Sequence, residues 1–311
     1  MFSELVYQSA DEYIQTWEDI LASALVVISC LIGLLMVILA IYGCIKIPSM
    51  RISPFGYLTK HQLISQGLAA INSGSFFLAV LLDFKVVIYH SNIFGLFITI
   101  LLPSILLIYF AISLNRFLAL ATPIYYSTLF GIKTRKFYIL FAWITPIIYM
   151  SILFIQYDCS YKFYHYGWIF IEKPSEICGA KLSYQMVISQ GLLCLTMLFL
   201  DCATIVMLVF FKDRIVKSKS PIIRRREINF AQQVIIQGFV FTMHAFWYIY
   251  GNQWIPGTSE NWRIFWTSTF SSNLLHIFDC GIIFIFNSEF SNWIRNLKRK
   301  SRVVSITVNH S

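Results

Sequence analysis

Seven apolar stretches dominate this chain, each about as long as the ~20 residues a helix needs to cross ~30 Å of hydrocarbon. They run over 20–42, 62–82, 93–114, 137–155, 186–211, 228–250 and 264–286. Lys and Arg are sorted by these stretches. Nineteen of the 24 fall on one side: Lys46, Arg51 and Lys60; Arg116, Lys133, Arg135 and Lys136; seven from Lys212 to Arg226; and five from Arg295 to Arg302. The other five are Lys85, Lys162, Lys173, Lys181 and Arg263. Positive charge marks the cytoplasmic side, so the pattern predicts an external N-terminus and an internal C-terminus. The expected fold is an all-α membrane protein, a seven-helix bundle forming one domain over 1–311. Residues 1–19 are extracellular, 20–286 form the bundle and 287–311 are a cytoplasmic tail.

Composition agrees with that class, at 58% hydrophobic and 13% charged residues. The net charge of +9 is not one nucleic-acid-binding patch. It is spread through short cytoplasmic loops and the tail, where the anionic inner leaflet attracts each cation by roughly 1 kcal/mol. The lipid bilayer is therefore an expected partner and nucleic acid is not. The first 19 residues carry Glu4, Asp11, Glu12, Glu18 and Asp19 and no Lys or Arg. That is unlike the positive start of a signal peptide, so the first apolar stretch reads as an uncleaved anchor.

Five of the seven cysteines lie in or beside the spans and read as small apolar filler. Cys159 and Cys178 share the long external loop before the fifth span, on the oxidising side, and are expected to form a disulfide. After the last span, Phe290, Trp293, Ile294 and Leu297 recur at helical spacing, with Arg295, Lys298 and Arg299 off that stripe. This is the pattern of a short amphipathic helix on the inner leaflet. Pro103 and Pro146 fall inside spans three and four, where membranes tolerate proline.

Ionisable and amide side chains at membrane depth are costly and usually face the bundle interior. Asp201 lies near the middle of span five, His244 in the outer half of span six and Asp279 in the inner half of span seven. Asn273, His276 and Asp279 are spaced to share one helix face, and Asn72 in span two is placed to meet it. The expectation is an intramembrane polar network that rearranges between states. The alternative is interhelical glue worth about 0.6–2 kcal/mol per contact.

Span three ends Asn115-Arg116-Phe117, followed by Pro123 and Tyr125. This resembles the Asp-Arg-Tyr region of rhodopsin-like G-protein-coupled receptors, with Asn115 in place of the usual acid. Ser53–Thr59, the Cys159…Trp168…Cys178 loop, Leu200-Asp201, Arg224–Gln233, His276–Asp279 and Phe286–Phe290 together resemble the nematode serpentine receptor class X family of candidate chemoreceptors. They occur in family order over roughly residues 20 to 295. The chain departs from that family at Cys280 and Ser291. It also lacks the Trp-x-Pro and Asn-Pro-x-x-Tyr motifs of standard rhodopsin-like receptors, and any Cys near the top of span three.

The resemblance implies a chemosensory receptor in the plasma membrane of sensory neurons. It would bind a small environmental or pheromone-like molecule in the outer half of the bundle and activate a heterotrimeric G protein at the inner face. The coupling surface would comprise Asn115, Arg116, Phe117, Pro123, Tyr125 and the basic run Arg224, Arg225, Arg226 with Glu227. Candidate pocket residues are Trp168, His244, Trp247, Tyr248 and Trp266, whose other reading is an interfacial aromatic belt. No protease, esterase or metal-ligand motif occurs, so neither an enzyme nor a metal or cofactor site is expected. A transporter or ligand-gated channel is the alternative; duplicated halves, broken helices or a charged pore ring would favour it.

Overall fold

The computed structural model describes residues 14–157, 159–172, 178, 191–210, 221–287 and 289–295, with backbone alone for 209–210 and 221–231. Seven helical spans lie where the apolar stretches predict them. Spans one to four are Trp17–Lys46, Pro54–Leu81, Ser91–Ala121 and Ile132–Tyr157. Span five is Gly191–Phe210, and span six is Pro221–Tyr250, whose helix begins well before its apolar stretch. Span seven is two helices, Glu260–Thr267 and Thr269–Phe286, interrupted at Ser268 (φ −113°, ψ −88°). Pro103 and Pro146 sit inside continuous helices.

Helix starts follow local chemistry. Thr16 and Asp19 form a reciprocal capping box at the head of span one. Ser53 caps span two, with Pro54 in the first turn, where its missing N–H costs nothing. Each helix turns a broad apolar face outward, with Leu31, Ile155, Leu195, Phe199 and Ile285 among the exposed side chains. Lipid takes the place that a soluble protein gives to water, so an apolar exterior stabilises this chain rather than exposing it to aggregation.

Span one packs against spans two and seven, and span three packs against spans two, four and five. The inner-half core gathers Val37, Leu58, Ile108, Ile112, Cys280 and Phe290. Phe290 is fully buried in the short helix 289–295 and Trp293 meets Tyr42 of span one. The apolar stripe after span seven thus anchors the start of the tail to the bundle; Leu297, Lys298 and Arg299 lie outside the described residues.

The second external loop carries a feature absent from the hydropathy reading, an antiparallel hairpin. Strand β1 (Tyr161–Tyr164) pairs with β2 (Ile169–Glu172) in the register Tyr161↔Glu172 and Phe163↔Phe170. Cys159, just before β1, is disulfide-bonded to Cys178, with Cα atoms 5.3 Å apart. The hairpin presses onto span three at Gly95, where any Cβ would run into the Tyr161 backbone.

Candidate functional site

The outer end of the bundle is closed between spans one, two and seven by aromatic side chains. Trp168 at the hairpin tip is 2% exposed and meets Trp262 and Phe265 at ring-centroid distances of 4.9 and 5.6 Å. Its indole Nε1 donates to Asp19 Oδ1 at 2.7 Å, and its carbonyl accepts from Thr269 Oγ1 at 2.7 Å. His165 Nδ1 lies 3.9 Å from the same Asp19 oxygen, and Tyr166 donates to Glu260. That hydrogen bond to the carboxylate pushes the Tyr166 hydroxyl up to about 12. A buried acid at the first helix, a loop indole and the break in span seven therefore form one latch. Trp168, one of the pocket candidates, is thus packed as a plug at the outer end of the bundle.

The other pocket candidates are placed differently. His244 Nε2 lies 3.4 Å from both Ser271 Oγ and Ser272 Oγ of span seven. Trp247 donates from Nε1 to the Trp266 carbonyl at 3.3 Å, while the Trp266 ring joins Trp262, Phe265 and Phe270. Tyr248 continues the stripe of Gln233, Gln237, Phe241 and His244 along span six, yet remains 57% exposed. The structure thus gathers His244, Trp247 and Trp266 at the outer meeting of spans six and seven and leaves Tyr248 exposed.

The polar residues of span seven do not act as one set. Asn273 is bonded to Cys30 of span one, whose Sγ donates to its Oδ1 at 3.1 Å. Asn72 donates instead to the Phe94 carbonyl of span three at 3.2 Å. This corrects the expected meeting of Asn72 with that face, for it lies outward of the level at which span two contacts Asp279. The partners are Gln66 and Gln62, about two and three turns nearer the cytoplasm. Gln62 Nε2 donates to Asp279 Oδ2 at 2.6 Å, Gln66 Nε2 donates to the same oxygen, and Gln237 Nε2 of span six donates to Oδ1 at 2.6 Å. Gln66 also reaches the Tyr109 hydroxyl at 3.1 Å. From Gln237 the chain continues inward, as Gln233 Nε2 donates to Gln237 Oε1 (3.2 Å) and Asn287 Nδ2 to Gln233 Oε1 (3.1 Å). A carboxyl group buried in the bundle is here held by amide donors, with no counter-charge bonded to it among the described residues.

Asp201 stands apart from this ladder. It is 4% exposed and lies beside Ser113 of span three. Its Oδ2 occupies the space that a Cβ at Gly238 of span six would fill. At the inner mouth, Asn115 is fully buried and donates from Nδ2 to the Tyr126 hydroxyl at 3.0 Å, tying span three to the short helix Pro123–Leu129. The Arg116 guanidinium lies over the Phe55 ring of span two, 3.7 Å from its centroid. Phe117 is partly buried, and Pro123 and Tyr125 are exposed at the inner face. Arg224, Arg225, Arg226 and Glu227 belong to the span-six helix, but their side chains lie outside the described ones. Residues that sequence reading missed are Asp19, Gln62, Gln66, Gln233, Gln237 and Tyr109. The i, i+4 pairs Gln62/Gln66 and Gln233/Gln237 were the available signal, since each places two amides on one helix face.

Comparison with known proteins gives this architecture a family. Residues 27–287 match the family described as serpentine type 7TM GPCR chemoreceptor Srx. Serpentine receptor class X-43 of Caenorhabditis elegans is 40% identical over 304 residues, covering 96% of this chain and 95% of that receptor. The fold is similar to the crystal structure of squid rhodopsin, with a TM-score of 0.73 at 14% identity, over 94% of this chain and 89% of that one. The chain accordingly belongs to the Srx family of seven-transmembrane G-protein-coupled chemoreceptors, as an integral membrane receptor and not an enzyme.

Proposed function

We propose that this receptor binds a small environmental or pheromone-like molecule in the outer half of the bundle and activates a heterotrimeric G protein at its cytoplasmic face, in the plasma membrane of sensory neurons. The observation that carries the reading is the buried pair at the inner end of span three. Asn115 fastens the second cytoplasmic loop while Arg116 stacks on span two, so both side chains are held in one arrangement that an opened mouth would have to change. A ligand that favours the opened arrangement shifts the balance by its differential affinity for the two. Arg116, Phe117, Pro123 and Tyr125 would then contact the G protein with the basic run 224–226 and Glu227. Asn115 carries no exchangeable carboxyl proton, so protonation at this residue is not the trigger.

The test is Arg116→Ala and Arg116→Lys in membranes with added G protein, reading agonist-driven nucleotide exchange at matched surface abundance. A guanidinium offers five donors in a planar fork that an ammonium cannot reproduce. Both variants should lose exchange while agonist affinity stays within a few-fold. Normal exchange by Arg116→Ala would remove this residue from the coupling surface.

A further inference from the structure

The hairpin presents one side to the bundle, and the register fixes which residues lie on it. Successive side chains in a strand alternate between faces. Phe163 and Phe170, directly opposite each other, both meet Phe76 of span two at 4.9 Å, so their side faces inward. Tyr161 and Glu172 are the next pair on that side, while Lys162 and Ile171 lie on the other. Glu172 is thus a partly buried carboxylate facing the bundle, with no hydrogen-bond or ion-pair partner among the described residues. Two other acids at this end are engaged: Asp19 by Trp168 and Thr16, and Glu260 by Tyr166.

The surroundings of Glu172 are aromatic. Tyr161 stands opposite it, at the ~5 Å Cβ separation of a directly paired position. Burial, together with the nearby Glu172 carboxylate and Tyr248 phenol, pushes the Tyr161 hydroxyl above the ordinary phenol range. Desolvation likewise raises the Glu172 carboxyl. One turn inward from Tyr248, His244 faces Ser271 and Ser272. A desolvated acid with no ion-pair partner among the described residues, paired across the hairpin with one phenol that has a second phenol near it, is matched by a ligand group that donates hydrogen bonds, bears positive charge and tolerates a ring face.

We propose that Glu172 is the anchor for the ammonium group of a small organic amine, with Tyr161 and Tyr248 as its aromatic walls. The proposal rests on the ligand-binding half of the function given above and is independent of G-protein coupling. An ion pair formed there on binding replaces lost hydration on both partners. A neutral amide or an acid of the same shape leaves the carboxylate unpaired or repels it.

The experiment measures ligand-induced thermal stabilisation of the purified full-length receptor, which reads binding without coupling. The probes are aromatic monoamines such as tyramine and tryptamine, their N-acetyl derivatives, and matched carboxylic acids. Amines should stabilise the receptor; the acetylated and acidic partners should not. Glu172→Gln should weaken amine binding by about tenfold or more, with unliganded stability preserved, whereas Lys162→Ala, on the opposite side of the hairpin, should leave it within twofold. Equal effects of amines and their acetyl derivatives, no effect of any amine, or a Glu172→Gln affinity within twofold of wild type would each overturn the proposal. Failure of nucleotide exchange alongside intact amine binding would instead count against the coupling reading.

Discussion

Asp279 and Asp201 keep a carboxyl group inside hydrocarbon in two ways. Asp279 is surrounded by glutamine amides, while Asp201 relies on a glycine across the helix interface. Gly238→Ala places a methyl group where Asp201 Oδ2 now lies, so the carboxyl must rotate or the helices must part. Overpacking of this kind costs about 1–3 kcal/mol. We expect that loss in thermal melting of Gly238→Ala, and a much smaller loss when the same change is made in Asp201→Ala. Equal losses in both backgrounds would show that the two residues do not compete for the space. Glu172 gives a second residue-scale expectation. Desolvation raises its carboxyl in the folded state, so its contribution to stability is fully present below the ordinary carboxylate pKa, about 4.3. That contribution is lost as pH rises through the folded-state value. The melting temperature of wild type relative to Glu172→Gln should therefore fall between acid and neutral pH; a constant difference would place the carboxyl in open water.

At the scale of elements, spans six and seven are joined by the ladder Asp279–Gln237–Gln233–Asn287. Movement of span six away from the bundle must break its Gln237 rung. Intramembrane side-chain contacts contribute about 0.6–2 kcal/mol, which corresponds to roughly a three- to thirtyfold shift in a two-state equilibrium. Gln237→Leu should therefore raise agonist-free nucleotide exchange several-fold; unchanged basal exchange would make the ladder a fixed brace. This element was only half legible in the sequence. A search for charge at membrane depth finds Asp279, because a carboxylate there demands explanation. It passes over glutamines, which are uncharged and common on helix surfaces. Asn72 was assigned by its approximate depth, but its exact level along span two and its rotation about the helix axis decide its partner, and hydropathy carries no rotation. The hairpin left a local signal, short runs rich in aromatic and β-branched residues on either side of His165-Tyr166-Gly167-Trp168, that a reading at span length does not resolve. The break at Ser268 left none, since neither Pro nor Gly stands there.

Across the whole molecule, the spans and their orientation were legible because hydrocarbon thickness and Lys/Arg bias act on whole segments. An epitope after Met1 should bind antibody on intact cells, and one after Ser311 should need permeabilisation; the reverse would invert the topology. The external disulfide closes a loop of nineteen residues in sequence separation. Chain-entropy reasoning gives such a loop about 3 kcal/mol. Replacing both cysteines by serine should lower melting and surface abundance, and unchanged values would show that the hairpin holds without it.

The Trp168 latch also sets an order of events during synthesis. Asp19 emerges at the head of the first span, its indole partner 149 residues later, and Thr269 only within the last span. A nascent receptor therefore carries a tryptophan without its span-seven partners Trp262, Phe265 and Thr269 until translation is nearly finished. Chains truncated before span seven cannot pack Trp168 fully, and retention of such fragments in the endoplasmic reticulum is the outcome this timing predicts. The latch that shapes the mature outer face is, during biosynthesis, among the last contacts to close.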